Sequence, residues 1–578
     1  MRRIGVFICH CGINIAGTVD VQAAAKAVQG YPGVVYATDY KYMCSDPGQA
    51  LIRQAIAEQR LDGLVVAACS PSMHEATFRR TAEAAGLNPY RVEVANIREQ
   101  CSWVHQDARD EATHKAIALI ASMVEKVRRD EPLDPLGTPV TRRLLVIGGG
   151  IAGLSAALEV ADAGYEVILV ERRGELGGRL RQIQQTYVGL EPTAEPLARR
   201  LERVRGHPRI TVLTHSEVES SSGYVGNFEV VVATRAAPEE GAEVVTARSR
   251  YSVGAIVVAT GFELLPPERL GEYGAGRVPD VVDALEFERL LAEGAAEGSL
   301  RRPSDGRVAR RVVFVQCAGS RDPEHGLPYC SKICCLYTAK QALLYRQRVP
   351  DGQATVFYID IRTAGRRYEE FSRRAMEEGQ VLYLRGKVAK VFRQGDEVQV
   401  WGTDTLSGRN VEMAADLVVL AAGAVASAGA AELGRRLRAT TDGLGFFNEA
   451  HPKLRPVESL TAGIYLAGAA QAPKDIPETV SQAGAAAAKV LSLFSRRELV
   501  AEPTVATVLA ELCAGCGLCV AACPYEARQL NLRERVAEVN PALCQGCGAC
   551  VTACPNKACA VCNYRPDQVL AMLEAALE

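Results

Sequence analysis

"RRLLVIGGGIAGLSAALEVADAGYEVILVER", residues 142–172, reads as a strand, a tight glycine turn, a helix and a second strand ending in an acid. Gly148 permits the turn, Gly150 lets the backbone approach a pyrophosphate at the helix N-terminus, and Gly153 lets the helix pack closely on the strand. Glu171 is placed to bind ribose hydroxyls. A glycine triplet alone is a weak signal. Here the whole βαβ context accompanies it, which predicts a dinucleotide site in an α/β domain.

Segments further on decide which dinucleotide. "ERRGELGGRLRQ" (171–182) sets Arg172, Gly177, Gly178 and Arg179 directly after the ribose acid. "AIVVATGFE" (255–263) contributes Ala259, Thr260 and Gly261, and "GIYLAGAAQAPKDIPETVSQAG" (463–484) contributes Gly468, Asp475, Ile476 and Thr479. These stretches resemble the two-dinucleotide flavoproteins of the thioredoxin reductase type, and the resemblance implies FAD, with Ala152 at the start of the first helix among the contacts. One departure is visible: Gly468 is followed by Ala469 where that superfamily has an aspartate, so Asp475 is the expected substitute for ribityl or phosphate contacts.

The same resemblance places a second Rossmann-like lobe at about 305–425, inside an FAD domain of 142–495. "RRVVFVQ" (310–316) is its first strand, "KICCLYTAKQALLYRQ" (332–347) its helix, "ATVFYIDIR" (354–362) and "ADLVVLAAGA" (415–424) further strands. The glycine loop expected between strand and helix is missing. In its place come Cys317, Cys330, Cys334 and Cys335. A redox-active disulfide is one alternative, but a dithiol needs two thiols and no C-x2-C is present, so the expectation is a 4Fe–4S cluster.

Near the C-terminus "CAGCGLCVAACP" (513–524) recurs as "CQGCGACVTACP" (544–555), each with the spacing C-x2-C-x2-C-x3-C-P. In such a duplicated run the fourth cysteine crosses to the other cluster. That assigns Cys513, Cys516, Cys519 and Cys554 to one 4Fe–4S cluster and Cys544, Cys547, Cys550 and Cys523 to a second, within a ferredoxin domain at 509–562. Zinc knuckles also use C-x2-C, but zinc gives no reason for three evenly spaced cysteines followed by C-P twice. A linker at 496–508 precedes this domain, and an amphipathic helix at 563–578 follows it.

The chain has 578 residues, 19 cysteines and a formal charge of −2. Its balanced charge gives no electrostatic reason to expect nucleic acid or an anionic membrane as partner, and no apolar run is long enough for a membrane span. The start, "MRRIGVFICHCG", does not read as a signal peptide, so the expected location is the cytoplasm, where closely spaced thiolates serve more often as metal ligands than as disulfides.

Residues 1–128 alternate strands and helices as a small parallel α/β domain, followed by a linker at 129–141. "FICHCGINIAGTVD" (7–20), "YMCSDPGQ" (42–49), "ACSPSMHEATFRR" (68–80), "NPYRVEVANIREQCSWVH" (88–105), the glycine motif, "CAGSRDPEHGLPYCSKICC" (317–335) and "AQAPKDIPETVSQA" (470–483) resemble the A subunit of heterodisulfide reductase over nearly the whole chain. The resemblance implies a cytoplasmic FAD and iron–sulfur hub. It implies partners as well: B and C subunits, the small iron–sulfur subunit of a hydrogenase or formate dehydrogenase module, and ferredoxin. A homodimer within the larger complex is the expected state. Heterodisulfide itself is reduced on the B subunit in that family. Fuller members carry an inserted ferredoxin module; no cysteine lies between Cys101 and Cys317 here, so this chain resembles a shortened form with two fewer clusters.

The resemblance also gives meaning to Cys9, Cys11, Cys44, Cys69 and Cys101, each of which follows a predicted strand and so falls at one sheet edge. A fourth 4Fe–4S cluster is expected on Cys11, Cys44, Cys69 and Cys101, with Cys9 the alternative; buried structural cysteines are the other explanation. The fold class is then α/β: a two-lobed FAD core flanked by an N-terminal cluster domain and a C-terminal dicluster ferredoxin domain. Flavin with clusters turns a two-electron donor into one-electron streams, so flavin-based electron bifurcation between a two-electron donor, a high-potential acceptor and ferredoxin is the expected task. Lys340 and Glu286 are the candidates for tuning flavin protonation. The competing readings are an NAD(P)H-linked reductase resembling the small subunit of glutamate synthase, and a protein that only wires electrons between partners.

Overall fold

The computed structural model describes residues 2–577 apart from 236–244, 295–298 and 325. It falls into two compact units, Met1–Thr138 with Leu499–Glu578, and Pro139–Glu498. The chain crosses between them at 138–139 and at 498–499.

In the larger unit the quoted βαβ stretch forms the strand Arg143–Ile147, the helix Ile151–Asp162 and the strand Glu166–Val170. These strands are central in a seven-stranded sheet with Ala255–Val258 and Ile464–Leu466 parallel on one side and Ile210–Leu213 on the other. Their near-continuous Val, Ile and Leu runs are buried, as a parallel sheet covered on both faces requires. The glycine turn and the ends of the strands Ala255–Val258 and Ile464–Leu466 therefore open at one carboxyl edge, where α/β folds place ligands.

The second lobe is a five-stranded parallel sheet in the order Val281–Asp283, Leu417–Ala422, Arg311–Ala318, Gln353–Tyr358, Leu382–Arg385. It begins earlier than 305, because Val281–Asp283 and the helix Ala284–Glu293 belong to it. The helix Cys334–Arg348 packs on it with eleven buried residues, Cys334 to Tyr345 except Tyr337.

In the smaller unit the N-terminal sheet is four parallel strands in the order Val34–Tyr40, Ile4–Cys9, Gly63–Ala68, Val92–Asn96. The C-terminal helix Pro566–Leu577 packs against the helix Arg109–Arg129 of this domain, so two segments separated by the whole flavin core form one unit. Lys126, buried, anchors the contact: its Nζ lies 2.6 Å from Glu93, 3.1 Å from Asp130 and 4.5 Å from the ring centre of Tyr564. Gln568 donates to Asp130 and to the Arg129 carbonyl, and Ser122 to the Met572 carbonyl.

Candidate functional site

One long cleft in the larger unit gathers most of the expected cofactor residues. Gly148, Gly150, Ala152, Glu171, Arg172, Gly178, Arg179, Ala259, Thr260, Gly261, Asp475, Ile476 and Thr479 all line it. Gly153, Gly177 and Gly468 shape it from behind. A Cβ on Gly153 would stand 1.8 Å from the Gly148 carbonyl oxygen, so the helix can approach the turn this closely only with glycine there. Gly177 (φ 113°) donates to the Gly149 carbonyl at 2.8 Å, and a Cβ on Gly178 would stand 3.0 Å from Gly150 Cα: the second glycine pair is docked on the first. Nothing would obstruct a Cβ on Gly150, whose flank is left open to the cleft.

The polar atoms around the cleft fit a dinucleotide. The buried Thr260 Oγ1, Gln185 Oε1, Gln341 Oε1 and Tyr337 hydroxyl, all on lining residues, lack a protein hydrogen-bond partner, an expensive arrangement unless a ligand supplies one. A second cavity shares Gly148, Glu171, Arg172 and Thr260 with the cleft and extends it past the ribose acid. Glu171 is held in place by the Gly149 and Arg173 amides, at 2.6 and 2.9 Å. Asp475 caps the helix Ile476–Phe494, one oxygen accepting the Glu478 amide and the other the Tyr368 hydroxyl, which fixes its carboxylate in the cleft wall.

Of the two tuning candidates only Lys340 reaches the cleft. It is 2 % exposed, with Nζ 2.6 Å from Glu288 and 3.0 Å from the Gln185 carbonyl. Burial pushes its ammonium below the ordinary lysine range against the pull of Glu288. Glu286 does not belong: it is half exposed, 3.6 Å from Arg289 and outside the cleft. Residues two apart on a helix face different ways, and Glu288 takes the inward position, also accepting from Gln341. Sequence reading missed Glu288 and also Lys474, which lines the cleft and whose ammonium burial lowers to about 8 against Glu478. The signals were present: Tyr337, Lys340 and Gln341 share one face by i, i+3, i+4 spacing, and Lys474 directly precedes a helix N-cap.

The second lobe borders this cleft through Ile333, Tyr337, Lys340 and Gln341. A further cavity lined by Cys330 and Lys332 shares Tyr187, Ile333 and Asp475 with it. Cys317, Cys334 and Cys335 are buried, and their sulfurs hydrogen-bond through Cys334. That contact pulls the Cys317 thiol down to about 7, Arg321 assisting, and lowers Cys335, while Cys334 is driven up. Cys330 accepts the Lys332 amide at 3.3 Å, and the field of Cys330, like that of Cys317, acts on Arg321.

In the N-terminal domain the structure groups Cys9, Cys11, Cys44 and Cys69. Cys9 Sγ accepts the amides of Cys11 and Met43 at 3.3 and 3.4 Å, and Cys11 Sγ accepts Arg98 Nη1 at 3.2 Å. Burial raises Cys9 and Cys69, with Cys11 and Cys44 adding to the first and Cys11 and Cys9 to the second. Cys101 stands apart: fully buried, its thiol 3.1 Å from the Ala112 carbonyl, it packs in the core beneath Arg109–Arg129. The preference for Cys101 over Cys9 is therefore reversed. Cys9 ends its strand with its sulfur turned to the loop at Lys41–Met43, whereas the turn Arg98–Ser102 directs Cys101 inward.

In the ferredoxin segment one cavity is ringed by Cys513, Cys516, Cys519 and Cys554, three cysteines of the first repeat and the last of the second. Among the described residues no three His, Cys, Asp or Glu side chains converge where a single ion could sit. Cubane ligands surround a four-iron body and need no such point, whereas zinc draws four donors to about 2.0–2.3 Å of one centre.

Comparison with known proteins identifies two of the domains and the family. Residues 142–301 match the pyridine nucleotide-disulphide oxidoreductase family and residues 507–555 the 4Fe-4S dicluster domain. The chain is 40% identical over 597 aligned residues to the second iron-sulfur A subunit of CoB–CoM heterodisulfide reductase from Methanopyrus kandleri, covering 91% of each. The chain belongs to the family of heterodisulfide reductase A subunits. It is also 40% identical to the A subunit of the H2:CoB-CoM heterodisulfide,ferredoxin reductase of Methanothermobacter marburgensis (91% of this chain, 90% of that one). Thioredoxin reductase of T. acidophilum matches at 16% identity and a TM-score of 0.40, over 61% of this chain and 99% of its own. As a heterodisulfide reductase protein of the A type, this chain is an oxidoreductase component that transfers electrons through FAD and 4Fe–4S clusters.

Proposed function

We propose that this protein is the flavin hub of a heterodisulfide-reductase-type complex and divides electron pairs by flavin-based bifurcation, or joins them in the reverse direction. Four 4Fe–4S clusters serve it: two on the ferredoxin cysteines in the crossed assignment, one on Cys317, Cys330, Cys334 and Cys335, and one on Cys9, Cys11, Cys44 and Cys69. The observation that carries this reading is that thiols stand where the loop expected to deliver nicotinamide would be, and that the cavity lined by one of them, Cys330, shares Ile333 and Tyr187 with the cleft.

Bound FAD supplies exchange between two-electron and one-electron transfer. The chain's own residues prepare the cleft. Gly148, Gly150 and Gly153 admit the pyrophosphate, Thr260 and Gln341 offer unfilled polar atoms, and the buried Lys340–Glu288 pair can hold or pass a proton at Lys340 Nζ. The proposed partners are B and C subunits, a hydrogenase or formate dehydrogenase module and ferredoxin; the proposed location is the cytoplasm and the proposed state a homodimer within the complex. No helix among the described residues is long and apolar enough to cross a membrane.

Anaerobic purification with partners attached tests the proposal. The expected result is one FAD and about sixteen irons per chain, no bleaching of the isolated protein by NAD(P)H, and ferredoxin reduction only while a high-potential acceptor is reduced. Bleaching by NAD(P)H, or ferredoxin reduction without that second acceptor, would overturn it.

A further inference from the structure

The two ferredoxin repeats align cysteine for cysteine without a gap, and the backbone donors around their thiols correspond. Ala527 donates its amide to Cys523 Sγ at 3.3 Å, and Ala558, the equivalent residue, donates to Cys554 Sγ at 3.2 Å. Ala537 donates to Cys513 Sγ at 3.5 Å, and Ala506 to Cys544 Sγ at 3.3 Å. Five residues after the last cysteine of each repeat the two differ in a buried side chain that faces sulfur. The first repeat has Arg528 and the second has Cys559, each opening a short strand, Arg528–Asn531 and Cys559–Val561.

The difference is electrostatic. Arg528 is 5 % exposed, and its Nη2 donates to Cys550 Sγ at 3.0 Å while its buried Nη1 has no protein partner. No carboxylate pairs with it among the described salt bridges, so its charge is balanced only by sulfur. A guanidinium keeps its proton under all conditions in which the protein folds. Cys559, buried at the corresponding place on the wall of the cavity ringed by Cys513, Cys516, Cys519 and Cys554, brings no fixed charge.

Reduction of a cluster adds one electron and no proton, and hydrogen bonds and cationic charge at the ligand sulfurs favour the more negative, reduced state. We infer that Arg528 is a positioning residue that sets the two ferredoxin clusters to different potentials, raising the one held by Cys523, Cys544, Cys547 and Cys550 above the one held by Cys513, Cys516, Cys519 and Cys554. An otherwise symmetric module thereby gains a direction: an electron placed on either cluster settles on the one beside Arg528. This rests on the crossed ligand assignment proposed above.

The test is a redox titration of the full-length holoprotein followed by electron paramagnetic resonance, with Cys516→Ser and Cys547→Ser used to identify which signal belongs to which cluster. The expected result is two distinct midpoint potentials in the native protein, the higher assigned by Cys547→Ser. The field of Arg528 reaches Cys519 and Cys559 of the other site as well, but its hydrogen bond goes to Cys550. Arg528→Gln therefore lowers the potential of the Cys550 cluster more than that of its neighbour, and Arg528→Lys, which keeps the charge, lowers it less. Equal potentials in the native protein overturn the inference without any variant at Arg528, as does an Arg528→Gln protein with both clusters present and both potentials unmoved. If neither serine substitution disturbs a cluster signal, the ligand assignment itself fails and takes the inference with it.

Discussion

The two lobes of the flavin core are built alike and end differently. In each, a buried parallel strand runs to the carboxyl edge of the sheet and a helix starts just beyond: Arg143–Ile147 before Ile151–Asp162, and Arg311–Ala318 before Cys334–Arg348. In the first lobe the connection is three glycines that bring backbone against a ligand. In the second it is a longer loop that carries Cys330, between a strand that holds Cys317 near its end and a helix that opens on Cys334 and Cys335. The comparison teaches that the βαβ edge is a platform, and that the few residues between strand and helix decide whether it presents open backbone or a group of thiols.

The largest effect expected breaks the first lobe. Gly153→Val puts side-chain atoms where even a Cβ lies 1.8 Å from the Gly148 carbonyl oxygen, so helix and turn must separate. The variant is expected to purify without flavin while the ferredoxin clusters remain, read from flavin released on denaturation against iron content. The matching change in the second lobe is Cys334→Ala. It removes the sulfur that joins Cys317 to Cys335, and is expected to lower iron by about four per chain with FAD retained. Retention of all the iron would show that the second lobe holds no cluster.

How much of this was legible in the sequence follows from the same contrast. Backbone-determined features were readable, because a glycine triplet, a C-x2-C-x2-C-x3-C-P run and an apolar strand each report a local constraint. Features that depend on which way one side chain turns were not. Cys9 and Cys101 both follow strands, and only the turn at Arg98–Ser102 sends Cys101 to the Ala112 carbonyl and leaves Cys9 with its neighbours. Glu286 and Glu288 share a helix, and its phase relative to Lys340 was set by the packing of two helices distant in sequence. The union of the N-terminal domain with the C-terminal helix was likewise invisible, since Lys126 and Tyr564 belong to opposite ends of the chain.

That helix phase supports a prediction of intermediate size. Lys340→Met leaves Glu288 buried with its charge partner gone, a loss of about 3–5 kcal/mol expected as a lower unfolding temperature, together with a shifted flavin potential. Glu286→Ala, two residues from Glu288 but exposed, is expected to stay within about 0.5 kcal/mol of native and to leave the potential unmoved. A native potential in Lys340→Met would remove Lys340 from flavin tuning, whatever the change in stability.

The smallest effect concerns Lys474, which adds to the first lobe a charge that the glycine motif lacks. Burial lowers its ammonium from the ordinary lysine value to about 8, so the cleft carries this cation at pH 7 and has lost most of it by pH 9. A cation in the cleft favours an anionic dinucleotide, so the sign follows: flavin affinity is greatest below the shifted value and falls as pH rises through about 8. The expected loss is about tenfold, on the order of 1.4 kcal/mol, measured as flavin fluorescence released across that range. In Lys474→Met affinity starts lower at pH 7 and the step near pH 8 disappears. If the step survives in Lys474→Met, another group titrates there and the pyrophosphate is held by the glycine turn and helix N-terminus alone, as the comparison of the two lobes in its simplest form requires.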